Sequence, residues 1–272
     1  MSADAKKHVN APDLAGMKRA GKKIVMLTAY DALFGRLVDE SGVDVILVGD
    51  SVATVLGGEQ TTIAATLDQM IYHGRIVRRG VTRALVVVDL PFLTYQVSVE
   101  DALRNAGRVF QLTGADAVKL EGGRSVAPAV AALVRAGIPV MGHLGFTPQS
   151  VHALGGHRIQ GRQEASADAL VEDAKALEEA GAFAIVLELV PAGLAERVTK
   201  AIGIPTIGIG AGPHCDGQVL VLHDMLGMNE GFNPKFLKRY GELGQAVRSA
   251  VQQFAAEVQS GQYPDAAHTH AN

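Results

Sequence analysis

The 272-residue chain has no tryptophan, a single cysteine (Cys215) and few charges. Lys, Arg, Asp and Glu make up 19% of it, below the roughly 25% usual in soluble domains. One cysteine excludes an intramolecular disulfide, which suits the reducing cytoplasm. A basic excess is missing as well. Twenty-five Lys and Arg against 28 Asp and Glu leave a net charge of −3, without the positive footprint a nucleic-acid binder needs. Long apolar runs are also lacking. Uncharged stretches such as 201–215 carry glycine and proline and fall short of the roughly 18 apolar residues a membrane span requires. Asp4, Lys6 and Lys7 precede no apolar segment, so the amino-terminal residues do not read as a secretory signal. A cytoplasmic protein that binds neither nucleic acid nor membrane is the expectation.

What the chain has in excess is glycine, 31 residues of it, within a composition 48% hydrophobic. Sparse charge on so apolar a chain disfavours a fully solvated monomer and points to surface covered by further copies.

Short apolar runs bounded by glycine or proline recur at 24–30, 43–50, 84–91, 117–122, 139–145, 182–190, 205–210 and 219–223. Runs such as VDVILVGD do not alternate polar with apolar, the pattern of strands buried on both faces of a parallel sheet. Between them lie helical stretches. Ser98 followed by Asp101 resembles a capping box, with Leu103, Ala106 and Phe110 behind it and Gly114 as the stop. Residues 166–180 place Leu170, Ala174 and Leu177 on one face and end at Gly181. Strands roughly 28 residues apart leave room for right-handed crossovers. Eight such units over about 250 residues match the size of a (β/α)8 TIM barrel, preferred here to a doubly wound open sheet. No linker or repeat divides the chain. The sequence predicts a single-domain α/β barrel over 1–272 with a short amino-terminal extension, a helical region opened by Asn233 and Pro234, and a frayed tail over 264–272.

Active sites of such barrels sit at the carboxyl ends of the strands. That rule selects Asp50 and Ser51, Asp89, Lys119 and Glu121, His143, and Glu188. Asp50, Asp89 and Glu121 would converge from neighbouring strands and repel one another unless protonated or neutralised by a cation. An all-oxygen donor set without histidine or cysteine points to Mg2+ rather than zinc; the competing reading is that each aspartate caps the next helix. Lys119 shares a strand face with Glu121 and is either half of a structural ion pair or a cation for a substrate carboxylate or oxyanion. Glu188, costly in an apolar strand, is either paired with a nearby arginine or lysine or a proton acceptor. His143 reads equally as a ligand contact or a satisfied strand-end residue. Gly208 to Gly212 could cradle an anion but are as readily a close-packed turn, and Cys215 carries no activating motif.

Nine segments in order carry a resemblance: TAYD (28–31), ILVGDS (46–51), DLPF (89–92), VKLEGG (118–123), GHLGFTPQS (142–150), QGR (160–162), LELVP (187–191), IGIGAG (207–212) and DGQVLVLHDMLG (216–227). With them the chain resembles the ketopantoate hydroxymethyltransferase family. The resemblance implies a homo-oligomeric barrel, commonly a homodecamer of two pentameric rings. It implies the conversion of 3-methyl-2-oxobutanoate, water and 5,10-methylenetetrahydrofolate, as co-substrate, to 2-dehydropantoate and tetrahydrofolate, with one Mg2+ per subunit. Asp50 and Asp89 match metal ligands, with Glu121 joining the same ion partly through water. Asp50, Ser51, Asp89 and Lys119 match the surroundings of the keto acid, and Glu188 the proton acceptor. The segments Ala32-Leu33-Phe34-Gly35 and Gln163-Glu164-Ala165 depart from the family's forms. Two rivals remain: a Mg-dependent 2-oxo acid lyase or hydrolase of the phosphoenolpyruvate mutase and isocitrate lyase group, and a barrel kept as a binding scaffold. The first is disfavoured because Cys215 lies outside the lysine-lysine-cysteine-glycine-histidine context of those lyases, the second because a scaffold has no use for convergent polar strand ends.

Overall fold

The computed structural model describes residues 7–270, so Asp4, Lys6 and Asn272 lie outside the described residues. Eight parallel strands close into a barrel in sequence order: β1 (Ile24–Thr28), β2 (Val45–Val48), β3 (Leu85–Asp89), β4 (Ala117–Glu121), β5 (Val140–Gly145), β6 (Ala184–Glu188), β7 (Thr206–Ile209) and β8 (Gly217–Leu220), the last pairing with the first. The (β/α)8 expectation holds. The helix Val99–Thr113 starts at a Ser98 cap whose side chain accepts from Asp101 N, and stops at Gly114 with φ 69°. The helix Glu164–Glu179 buries Leu170, Ala174 and Leu177 on one face, as its spacing predicts.

Two boundaries differ from expectation. The eighth strand begins at Gly217 and ends at Leu220, so His223 lies in the short helix Leu222–Met225 and not in a strand. Asp216 sets this register: its carbonyl accepts from Ile24 N at 3.0 Å and its carboxylate from Thr206 N at 2.9 Å, tying the β7–β8 turn to both neighbours. Asn233 and Pro234 open a turn, closed by Leu237 N to Pro234 O at 3.0 Å, and the helix begins only at Leu243.

Side chains at alternate strand positions point inward. Ile24, Met26, Val45, Leu47, Leu85, Val87, Ala117, Met141, Ala184, Val186, Ile207 and Val219 fill the lower barrel as one buried cluster. Leu14, from the helix Ala11–Arg19, is fully buried in the same cluster, with Val9 and Met17 packed against it. This helix is opened by a capping box of Asn10 and Asp13, and it closes the amino-terminal end of the barrel.

Contacts divide the chain into two compact units, Met1–Val221 and Leu222–Asn272. The first is the barrel. In the second, the helix Leu243–Ser260 buries no residue and exposes Val247, Val251, Phe254 and Val258 along one side. Near its end Asp265 caps a 3-10 turn, Ala266–His268, accepting from Ala267 N and His268 N. Among the described residues no helix is long and apolar enough to cross a membrane.

Candidate active site

Moving up each strand from the apolar cluster by two residues changes the chemistry. Above Val87 comes Asp89; above Ala117 come Lys119 and then Glu121; above Met141 comes His143; above Val186 comes Glu188. The strand parity that buries the core therefore aims these five side chains at one point over it. Asp50 joins them from the turn after β2, its N–H donating to Asp89 Oδ2 at 3.0 Å. At Gly49 an added Cβ would lie 2.7 Å from Ser51 Oγ and 3.5 Å from Asp89 Oδ2, so its bareness keeps room beside the aspartates.

Ion pairs link the ring. Lys119 Nζ lies 2.7 Å from Asp89 Oδ1 and 3.4 Å from His143 Nδ1. His143 bridges two glutamates, with Nδ1 3.3 Å from Glu121 Oε1 and Nε2 3.2 Å from Glu188 Oε2. Asp89 Oδ1, Glu121 Oε1 and His143 Nε2 are nonetheless buried without an aligned hydrogen bond, since these contacts run off-axis. Ser51 Oγ is 2.8 Å from the Tyr30 hydroxyl. Glu188, with a side chain 17% exposed, is the least enclosed of the carboxylates. The next residue, Leu189, adopts φ 47°, a left-handed conformation that a leucine holds only under local constraint. Gly145, at φ 92°, makes room there: a Cβ on it would meet Glu188 O at 2.2 Å.

Burial, and then the charges of Asp89 and Glu121, push the Asp50 carboxyl well above the ordinary carboxylate range. Burial likewise raises Asp89, against the pull of Lys119. Burial also works against the Lys119 ammonium, but Asp89, Glu121 and Asp50 outweigh it and hold the lysine charged. For His143, burial and Lys119 favour the neutral ring, yet Glu121 and Glu188 raise it to about 9. Glu121, despite burial, is lowered by the His143 bond. The protein thus gathers more negative charge at the mouth than its own cations balance.

All the residues selected from the sequence stand at this end of the barrel. None of the three acidic residues serves as a helix cap, and Glu188 is paired with His143 rather than with a lysine or arginine. Lys119 forms the structural pair with Asp89 while remaining on the ring. The glycines from Gly208 pack closely: a Cβ at Gly208 would meet Cys215 Sγ at 3.1 Å, and one at Gly212 would meet Ala192 Cβ at 2.5 Å. Burial raises the Cys215 thiol, which fits its inert reading.

Gln149 and Tyr95, which position at a strand end does not select, complete the site. Gln149 sits in the 3-10 turn Pro148–Ser150 after β5, fully enclosed, and donates through Nε2 to Asp50 Oδ2 at 2.8 Å and through its backbone to Glu121 Oε2 at 3.0 Å. Tyr95 donates to Gln149 Oε1 at 2.7 Å and accepts from Glu121 N at 3.0 Å. The one available signal for Gln149 was the TPQ turn directly after a strand bearing His143.

A family model described as ketopantoate hydroxymethyltransferase matches residues 8–266 of the chain. The 3-methyl-2-oxobutanoate hydroxymethyltransferase of Geobacter metallireducens is 54% identical over 94% of this chain and 96% of its own length. That of Moorella thermoacetica is 55% identical over 96% and 97%. Among solved structures, 2,3-dimethylmalate lyase, a member of the PEP mutase/isocitrate lyase superfamily, superposes with a TM-score of 0.60 at 17% identity, covering 95% of this chain and 91% of that one. Phosphonopyruvate hydrolase in complex with oxalate and Mg++ gives 0.61 at 14%, covering 96% and 93%. At such identities the structural likeness speaks for the barrel alone.

Proposed function

The chain belongs to the ketopantoate hydroxymethyltransferase family, and we propose that the ring of polar side chains at its barrel mouth performs the family's reaction. The protein is a one-carbon transferase that hydroxymethylates 3-methyl-2-oxobutanoate to 2-dehydropantoate in pantothenate biosynthesis. The observation that carries the assignment to residues is the convergence of Asp50, Asp89, Lys119, Glu121 and Glu188 above one apolar core. In this reading the donor is 5,10-methylenetetrahydrofolate, with water, and tetrahydrofolate is the co-product.

The donor set fits a divalent cation. Asp50 and Asp89 are buried, mutually repelling and raised, and Asp89 Oδ1 and Glu121 Oε1 lack aligned partners. Among the described residues no three His, Cys, Asp or Glu already form a closed cage. No more than one or two carboxylates are therefore required on Mg2+, its other positions being filled by water and substrate. Asp50 and Asp89 would hold it, with Glu121 beside them. When bound, the ion supplies Lewis-acid polarisation of the substrate ketone.

The protein's own groups do the rest. Lys119, held charged, stands where the keto acid's carboxylate and developing oxyanion need a cation, and Ser51, held by the Tyr30 hydroxyl, supplies a hydroxyl at the same end of the barrel. Glu188 accepts the C3 proton, oriented by His143. The freed electron pair forms the new carbon–carbon bond to the donor's methylene carbon as the first of that carbon's two bonds to folate nitrogen breaks. The proton taken by Glu188 balances the one that this nitrogen gains, and the second carbon–nitrogen bond is left for water. Water then supplies the hydroxyl oxygen as the bond to the folate nitrogen breaks. The lyase alternative draws no support from Cys215, which is buried under Gly208.

The same reading makes the protein a cytoplasmic homo-oligomer, a homodecamer by family, supported by the sparse charge and the exposed Val247, Val251, Phe254 and Val258. Purified protein is expected to form 2-dehydropantoate only with keto acid, folate donor and Mg2+ together. Folded protein that forms none under those conditions overturns the proposal. Light scattering tests assembly, and a particle of 28.5 kDa overturns the oligomer.

A further inference from the structure

We infer that Gln149, locked by Tyr95, is the positioning residue that presents Asp50 and Glu121 to the cation. The inference rests on the metal reading above. Both polar ends of the Gln149 side chain and its backbone N–H are engaged. Its Oε1 accepts from the Tyr95 hydroxyl at 2.7 Å and from Gln96 Nε2 at 3.2 Å. Its Nε2 donates to Asp50 Oδ2 at 2.8 Å and to Leu90 O at 3.0 Å. Its backbone N–H donates to Glu121 Oε2 at 3.0 Å.

Two consequences follow from that wiring. With two donors on Oε1, the amide cannot turn over, so an N–H and not a carbonyl always faces Asp50. Gln149 also takes one oxygen from each of two acidic side chains that come from separate parts of the barrel, Asp50 from the turn after β2 and Glu121 from β4. The remaining oxygens, Asp50 Oδ1 and Glu121 Oε1, the latter 3.3 Å from His143 Nδ1 without an aligned hydrogen bond, are the ones left for a cation. The Tyr95 hydroxyl closes the loop by accepting from Glu121 N at 3.0 Å, so the backbone carrying Glu121 and the amide orienting Asp50 share one anchor. No atom of this relay needs to touch substrate. It acts through the carboxylates, as outer-shell partners of metal ligands do.

The test is Mn2+ binding to the intact chain, read from the free-ion electron paramagnetic resonance signal, for wild type, Gln149→Met and Tyr95→Phe. Gln149→Met keeps the volume and the backbone donor and removes only the amide. Wild type binds one Mn2+ per chain, and each variant binds it about 10- to 100-fold more weakly. Turnover adds a readout that a merely structural role would not move. The Mg2+ concentration for half-maximal activity rises by the same factor in Gln149→Met, while kcat at saturating Mg2+ stays within about threefold of wild type. Wild-type Mn2+ affinity in a folded Gln149→Met overturns the inference. Should that variant fail to melt cooperatively, Tyr95→Phe decides by the same criterion. A wild-type chain that binds no Mn2+ overturns the metal reading itself, a result distinct from equal affinity in wild type and variant.

Discussion

Lys119 Nζ and Asp89 Oδ1 stand 2.7 Å apart with side chains 4% and 3% exposed, an ion pair shut inside a barrel whose lower half is apolar. Removing one member of such a pair leaves the other charged, buried and uncompensated. Lys119→Met is therefore expected to lower the unfolding free energy of the metal-free protein by about 3 kcal/mol. Saturating Mg2+ then stabilises the variant more than it stabilises wild type, because Lys119 no longer competes for Asp89. Denaturant unfolding with and without Mg2+ measures both effects. Equal metal-free stability contradicts the prediction.

Glu188→Gln keeps shape and the contact to His143 but cannot take a proton. Exchange of the C3 hydrogen of 3-methyl-2-oxobutanoate with deuterium oxide, followed by NMR, is expected to vanish while keto-acid binding persists. Undiminished exchange removes Glu188 from this role.

Gly49→Ala puts a methyl group 2.7 Å from Ser51 Oγ and 3.5 Å from Asp89 Oδ2. The serine hydroxyl must move, while the approach to the aspartate is an ordinary contact. A displacement of this size at a reacting centre costs about 100-fold in kcat/KM, with the melting temperature little changed. A fully active variant would show that the space beside Gly49 is not part of the site.

Acid sensitivity has a source away from the mouth. Burial pushes the Asp39 carboxyl up, but it accepts from Thr82 N, Thr82 Oγ1, Arg83 N and Ala84 N, and these bonds bring it below its ordinary value. The folded state thus binds this proton more weakly than the unfolded chain does. Its stabilisation is complete above the ordinary carboxylate value near 3.9 and is lost as pH falls through the lower folded value. Asp39→Asn is expected to cost about 1–3 kcal/mol at pH 7. Its stability should change less than wild type's between pH 5 and pH 3. Parallel acid-induced loss in both proteins contradicts this.

The barrel was legible because strands buried on both faces leave an unmistakable run pattern, and β2 to β7 fall inside the runs. The eighth strand starts two residues before its apolar run because its start is fixed by Asp216 binding Thr206 on the neighbouring strand and Ile24, a partner far away in the sequence. Asn233 and Pro234 carried the local chemistry of a helix start without the helix. The charged ring was legible because a charge in an apolar strand is conspicuous in one dimension. Gln149 was not. A glutamine in a loop reads as solvated, and only the chain's return over the mouth turns it into a buried anchor. His143 was left undecided for a related reason: its role is set by Glu121 and Glu188, two partners on different strands.

Leu14, from the helix Ala11–Arg19, is sealed into the apolar cluster that fills the lower barrel, so no path to the charged ring runs along the barrel axis from below. Everything that reacts above the apolar floor must come and go by one opening. On the proposed function, the small keto acid and the bulky folate donor would share that opening, so ordered addition with the keto acid first is the kinetic expectation, and initial-velocity patterns showing random addition contradict it.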